Sequence, residues 1–315
     1  MSNFTGVRVV HVDSEAITEI YSKKTMTFDR LEELMLSNDQ CIALGVPPPD
    51  KSWRLSPNLF LVLTSYFDGE KSTAIVRVGH KSNEVWLLKD YVKTPIYGLK
   101  PRNKEQNMLL NTLMDDRVRC QVVIGRAGSG KTICALAYAL HQLFERKGTP
   151  FKKIILTRPM SSVGEKMGAF PGEAQEKMSP YLGNFYDNFE QLMGRNGRAY
   201  LESAMTKGHV EIIPIQLIGG SSWHEAIVIA DEVQSLTAEQ MYALGTRPAD
   251  GTKLILMGDY RQRYGLRGPV ENTGLYKVVN SQIAQKSPAI ASLELLKTER
   301  SELARVFNEI FEEKV

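Results

Sequence analysis

Cysteine is scarce in this chain: 315 residues hold three, Cys41, Cys120 and Cys134, an odd number set far apart among apolar neighbours. That spacing excludes a disulfide framework and predicts reduced packing residues. Histidine is equally thin. His11, His80, His141, His209 and His224 never approach one another or a cysteine at a ligand spacing, which argues against a structural metal. No apolar stretch reaches the ~20 residues that span a bilayer, and Met1-Ser2-Asn3-Phe4-Thr5 lacks signal-peptide character. The chain is therefore expected in the cytoplasm, away from membranes. Net charge is +3, too small by itself to prove a polyanionic partner. Basic residues do gather locally at Lys152-Lys153, at Arg195 with Arg198, and at Arg261, Arg263 and Arg267. Internal repeats, heptads and low-complexity tracts are all missing.

What is present is a phosphate-binding loop. Residues 125–132 read Gly125-Arg126-Ala127-Gly128-Ser129-Gly130-Lys131-Thr132, a full G-x-x-x-x-G-K-[ST] entered from the apolar run Val122-Val123-Ile124. The glycines allow backbone N–H groups to turn inward around an oligophosphate. Lys131 puts a cation on the outer phosphates, and the Thr132 hydroxyl is placed for Mg²⁺. Downstream, Ile133-Cys134-Ala135-Leu136-Ala137-Tyr138-Ala139-Leu140 suits a helix whose N-terminal dipole faces those phosphates.

A hundred residues on, Ala226-Ile227-Val228-Ile229-Ala230 runs into Asp231-Glu232. Alone this is also how many parallel strands end. Paired with the loop it supplies what ATP hydrolysis requires, a carboxylate for hydrated Mg²⁺ and another to orient and deprotonate water. Asp231 is assigned to the metal and Glu232 to the water. A third strand, Leu254-Ile255-Leu256-Met257, ends in Gly258-Asp259 with Gln262 beyond it. Gln262 is a candidate reporter of the γ-phosphate; an ordinary strand-to-turn junction is the other reading until the strand order is known.

Length suits one to two domains. A boundary falls near residue 97, where turn-forming and polar residues combine in Tyr97-Gly98-Leu99-Lys100-Pro101-Arg102-Asn103. Residues 1–96 read as a small β-rich accessory module. Its signals are a strand at Val7–Val12, helical patterns around Ile17–Tyr21 and Phe28–Leu36, and an extended linker over Ile42–Leu55 with Pro47-Pro48-Pro49. Three antiparallel strands follow at Leu59–Leu63, Thr73–Val78 and Glu84–Leu88. Residues 97–315 alternate strand and helix signals, as an α/β fold with a mainly parallel sheet should.

These residues carry a resemblance. The last 220 or so are similar to the PhoH family of P-loop ATPases, related in plan to the RecA-like core of superfamily 1 helicases. The segment Tyr97 to Gln106 matches the family's opening stretch, in which Gln106 resembles the adenine-reading glutamine of helicases. Thr157-Arg158-Pro159, Gly164-Glu165, Pro171-Gly172-Glu173 and Pro180-Tyr181 match a stretch distinctive of the family. Asp231-Glu232-x-Gln234, Gln240-Met241, Thr246-Arg247, Gly258-Asp259 with Gln262, and Glu299-Arg300-Ser301 complete it in order. Val233 stands where the family has alanine or glycine, a change expected on the core side. Some relatives carry an N-terminal PIN nuclease domain; residues 1–96 resemble the connector that follows it, so no ribonuclease activity is expected, and Asp13 reads as a helix cap.

The resemblance implies ATP and Mg²⁺ as ligands and a ring, plausibly a homo-hexamer, with each site at a subunit interface. One phosphate loop and one lobe leave the transition-state arginine to another copy. Arg300 and Arg247 are the candidates in trans, with Arg158 nearer the same chain's nucleotide. The long connection Ser161–Tyr181, with Lys166, Phe170, Lys177 and Tyr181, suits either a pore segment tracking single-stranded RNA or DNA or a brace against the neighbouring subunit. The expected function is an ATP-dependent helicase or translocase; the alternative is a slow ATP-gated oligomeric scaffold for protein partners. No N-K-x-D motif follows the loop, which argues against a GTP switch.

Overall fold

The computed structural model describes residues 6–47, 56–67, 69–80, 83–159, 174–215, 218, 222–260 and 269–298, with 303, 306 and 310; over 174–182 it describes the backbone alone. The first part of the chain folds as β1 (Val7–His11), α1 (Ser14–Lys23), β2 (Thr25–Thr27), α2 (Phe28–Glu33), α3 (Asn38–Ala43), β3 (Phe60–Phe67), β4 (Glu70–Val78) and β5 (Glu84–Leu87). They form a five-stranded sheet in the order β1-β3-β4-β5-β2, with the expected antiparallel trio β3, β4 and β5 at its centre and β1 parallel to β3. Part of the expected 42–55 linker belongs to α3 instead, because Ser37 and Gln40 close a capping box that starts a helix there. Asp13 occupies the N-cap position of α1 but makes no side-chain cap bond.

The remaining elements are α4 (Lys104–Leu113), β6 (Cys120–Gly125), α5 (Lys131–Leu140), β7 (Lys153–Thr157), α6 (Ala174–Met193), α7 (Gly197–Thr206), β8 (Val210–Ile212), β9 (Ala226–Ala230), α8 (Ala238–Gly245), β10 (Lys253–Gly258), α9 (Gly274–Asn280), α10 (Gln282–Lys286) and β11 (Ile290–Leu295). Six strands make one all-parallel sheet, β11-β6-β10-β9-β7-β8. Its four central strands are largely apolar on both faces, as a sheet covered on both sides requires. Val123, Ile154, Ile227 and Met257 join one core with α4 to α7; Val122, Val228, Ala230 and Leu256 join another with Met241 of α8 and Leu275 of α9. Val233 is buried in the second. The fold is the α/β class expected, with a β-rich sheet ahead of the parallel one.

Strand β3 explains how the two sheets meet. Side chains alternate across a strand, and here both faces are apolar: Leu61 and Leu63 pack with α1, while Phe60 and Val62 enter the core under α4 and β6. Polar contacts lock the same junction. Asn58 donates to the carbonyls of Pro288 (3.2 Å) and Ile290 (2.9 Å), and Arg77 binds Asp115 at 2.8 Å. Burial raises the Asp115 carboxyl, yet Arg117, His80 and Arg77 together hold it well below the usual carboxylate range.

Lys253 opens β10 at the opposite end of the sheet from the phosphate loop, and it is buried. Its ammonium donates to the carbonyls of Thr112 (3.4 Å), Leu113 and Asp115 (3.0 Å) at the end of α4, over the Tyr138 ring at 4.9 Å. Burial pulls its pKa down to about 7 from 10.5. Between those values the unfolded chain holds a proton that the folded chain has released, so stability should rise with pH across that window. The slope is up to about 1.4 kcal/mol per pH unit. Denaturant unfolding at pH 7.5 and 9 should show this rise in the wild type and a flatter profile in Lys253→Met; equal slopes would mean Lys253 stays charged in both states.

Candidate active site

The parallel register sets the tips of four strands side by side. Gly258 pairs with Ile124, Leu256 with Ala230, and Ala230 with Thr157. The carboxyl ends of β6, β10, β9 and β7 therefore open on one edge, where ligands of parallel α/β sheets bind. Because β10 lies between the loop strand and the acid-pair strand, Gly258-Asp259 ends on the same edge as both. Gln262 itself lies outside the described residues, as do Arg300 and most of Ser161–Tyr181.

Residues 125–132 turn from β6 into α5 with Gly128 at φ +81° and Gly130 at φ +89°, a region that favours glycine. Lys131 begins the helix, and Ile133 to Leu140 are buried, which fixes the helix axis behind the loop. The Lys131 ammonium bonds the carbonyls of Gly125 (2.5 Å) and Arg126 (3.0 Å). Gln106, in α4, lines the site but is already engaged by the chain: its amide donates to Ser129 O (3.0 Å) and accepts from Arg102 N (2.8 Å). A Cβ at Gly130 would stand 2.5 Å from Gln106 Nε2 at a strained φ. Gly130→Ala should therefore weaken nucleotide binding about tenfold, ~1.4 kcal/mol; affinity within twofold of wild type in a titration would show that the loop tolerates it.

Asp231 is buried at the tip of β9. Its Oδ2 accepts from Thr132 Oγ1 (3.3 Å) and Asn184 Nδ2 (3.1 Å), and its Oδ1 from the Glu232 amide (3.0 Å). Burial first, then the Glu232 carboxylate, raise the Asp231 carboxyl, opposed by Lys131 and Arg158. Glu232 takes φ +56°, ψ +33°, a left-handed conformation unusual for this residue. Gln234 holds it, donating to Glu232 Oε2 (2.6 Å) while accepting from the Asp259 amide (3.2 Å). Arg158, at the tip of β7, sits 3.6 Å from Glu232. Two buried hydroxyls, Ser129 Oγ in the loop and Thr157 Oγ1 beside Asp231, lack a hydrogen-bond partner.

Gln106, Ala127, Gly128, Gly130, Lys131, Thr132, Arg158, Asp231 and Glu232 share a cavity of about 530 Å³. Thr132 and Asp231 offer hard oxygens, and among the described residues no group of three or more His, Cys, Asp or Glu gathers to form a complete metal cage. That partial shell fits a cation such as Mg²⁺, which keeps waters and phosphate oxygens in its coordination sphere. Arg247 is not in the cavity. It follows α8, and its carbonyl accepts from Trp223 N (3.0 Å) ahead of β9, which places it at the opposite end of the sheet.

A family model described as PhoH-like protein matches residues 98–312. The chain belongs to the PhoH family. Protein PhoH2 of Bacillus subtilis (strain 168) is 34% identical over 251 residues, 79% of this chain and 55% of that protein. The PhoH-like protein of the same organism is 41% identical over 139 residues, 44% of this chain and 42% of that protein. The chain spans about half the length of the curated PhoH2 relatives it matches. Among solved structures, the Pif1 helicase from Candida albicans aligns over 67% of this chain and 43% of its own, at 14% identity and TM-score 0.36. The PhoH family assignment agrees with the geometry: a P-loop NTPase core whose loop and acid pair meet at one edge. No helix among the described residues is long and apolar enough to cross a membrane.

Sequence reasoning missed the wall that α6 contributes. Asn184, Asn188 and Gln191 line the cavity on one side of this helix, while Phe185 and Phe189 are buried in the core. The signal was there, since Asn184-Phe185 and Asn188-Phe189 repeat at i, i+4, which puts two amides on one face and two aromatics on its neighbour.

Proposed function

We propose that this chain hydrolyses ATP with Mg²⁺ and couples hydrolysis to movement along single-stranded nucleic acid, RNA foremost, working in the cytoplasm as a ring of identical subunits, plausibly six. The observation that supports it is the convergence of the loop lysine, Thr132, Asp231 and Glu232 on one cavity, with the Thr132 hydroxyl 3.3 Å from Asp231. Mg²⁺, when bound, neutralises charge on the outer phosphates. Around it Thr132 and Asp231 would form the protein side of the shell, and Lys131 would stabilise the phosphate oxygens. Glu232, fixed by Gln234, orients and deprotonates the water, and Arg158 offers a cation at the same chain's nucleotide. Residues 97–315 are the catalytic unit in this reading and 1–96 an accessory module. The proposed activity involves no phosphodiester cleavage of nucleic acid. Arg300 and Arg247 are the proposed arginines acting in trans, Gln262 the γ-phosphate reporter, and Gln106 an adenine reader. Arg247 lies outside its own chain's cavity, so it would act only on a neighbour's nucleotide.

Steady-state ATP hydrolysis by the purified protein, with and without single-stranded RNA or DNA at two salt concentrations, tests the reading. Strong stimulation that fades with salt is expected. Hydrolysis indifferent to both would favour a slow ATP-gated scaffold.

A further inference from the structure

Helix α6 bears on the acid pair through a contact that the hydrolytic residues leave unexplained. Asn184 donates its amide N–H to the same Asp231 oxygen that Thr132 approaches, at 3.1 Å. One turn along, Asn188 Nδ2 donates back to the Asn184 carbonyl (2.6 Å) and to its side-chain oxygen (3.1 Å). The direction of these bonds is informative. Holding Asn184 Oδ1 from behind fixes which end of that amide faces Asp231: the donor. Asp231 is thereby held between Asn184 and Thr132 on Oδ2 and the Glu232 amide on Oδ1. Phe185 and Phe189 anchor the helix in the core, so the amides cannot retreat.

We propose that Asn184 is a positioning residue for the metal carboxylate, holding Asp231 Oδ2 turned toward Thr132, and that Asn188 sets the amide's orientation. This inference rests on the Mg²⁺-ATP reading above. Outer partners of a metal ligand typically govern affinity for the ion by ten- to a hundredfold. The contact also ties the acid pair to α6, whose first turn follows directly on residues 160–173, so the metal end of the site and that connection share one helix.

The test is equilibrium binding of a fluorescent, non-hydrolysable ATP analogue to the full chain, in excess Mg²⁺ and in EDTA. Asn184→Leu keeps the size and removes the donor. It should cut the affinity gain from Mg²⁺ by about tenfold, a larger loss than any in EDTA, where binding depends on the phosphate loop. Asn184→Gln, which keeps an N–H donor, should recover part of the gain. Added to Asp231→Asn, Asn184→Leu should produce no further loss, because the group through which it acts is gone. Equal affinity of variant and wild type in Mg²⁺ overturns the proposal, and so does an equal loss in both conditions, the mark of a packing defect in α6. If wild type itself gains nothing from Mg²⁺, the Mg²⁺-ATP reading fails and this inference with it; a wild-type gain retained in Asn184→Leu removes only the role of Asn184.

Discussion

Glu232→Gln should bind ATP and hydrolyse it roughly 10²–10⁴-fold more slowly, the range that a general base contributes. Glutamine keeps the length and planar head of the side chain but cannot accept a proton from water. The surroundings favour retention of the fold. Gln234, which donates to Glu232 Oε2 at 2.6 Å, can still donate to the neutral amide oxygen of the variant, and Ser235 still donates to the main-chain carbonyl of residue 232. Binding should survive for an electrostatic reason as well: after burial, the Glu232 charge is the largest influence raising the Asp231 carboxyl. Removing it eases ionisation of the metal ligand. Single-turnover hydrolysis alongside a nucleotide titration separates the two effects. Turnover within tenfold of wild type would move the base to another carboxylate, with Glu165 and Glu173, outside the described residues, as the next to test.

The local parts of this site were legible because each is contiguous. Ala226–Ala230 is a strand to the residue, and Val122-Val123-Ile124 and Leu254–Met257 fall inside β6 and β10. A run of four or five β-branched and aliphatic residues bounded by glycine or acids can do little else. What joins these parts is not contiguous. That β10 lies between β6 and β9 follows from its pairing with β6 across more than a hundred residues, which no local pattern encodes. Gln106 illustrates a different limit. The family's opening stretch marked it by resemblance, but both ends of its amide bond main-chain groups, so its partners depend on where α4 packs. Lys253 carries no signal of burial in the local sequence, and only the end of α4, arriving with three carbonyls, makes it a buried cap.

Lys131→Ala should bring nucleotide affinity down by roughly a hundredfold, the scale of losing charge-assisted hydrogen bonds worth about 1.5–3 kcal/mol. The loss should be specific to the ligand. Lys131 opens α5 after Gly130, alanine suits a helix at least as well, and the helix is held by the buried run Ile133–Leu140 rather than by the lysine. Thermal unfolding without nucleotide should therefore stay close to wild type. The amides of the loop and the helix dipole persist in the variant, so some affinity for phosphate should remain. Lys131→Arg should not restore binding: the ammonium reaches the carbonyls of Gly125 and Arg126 inside a loop that a planar guanidinium, broader and with fixed donor directions, does not match. Because Lys131 also counters the raised Asp231 carboxyl, its removal should weaken the metal end of the site too, and the benefit of Mg²⁺ should shrink along with affinity. Wild-type affinity in a titration of Lys131→Ala would refute the role of the lysine and place the binding energy in the backbone of the loop.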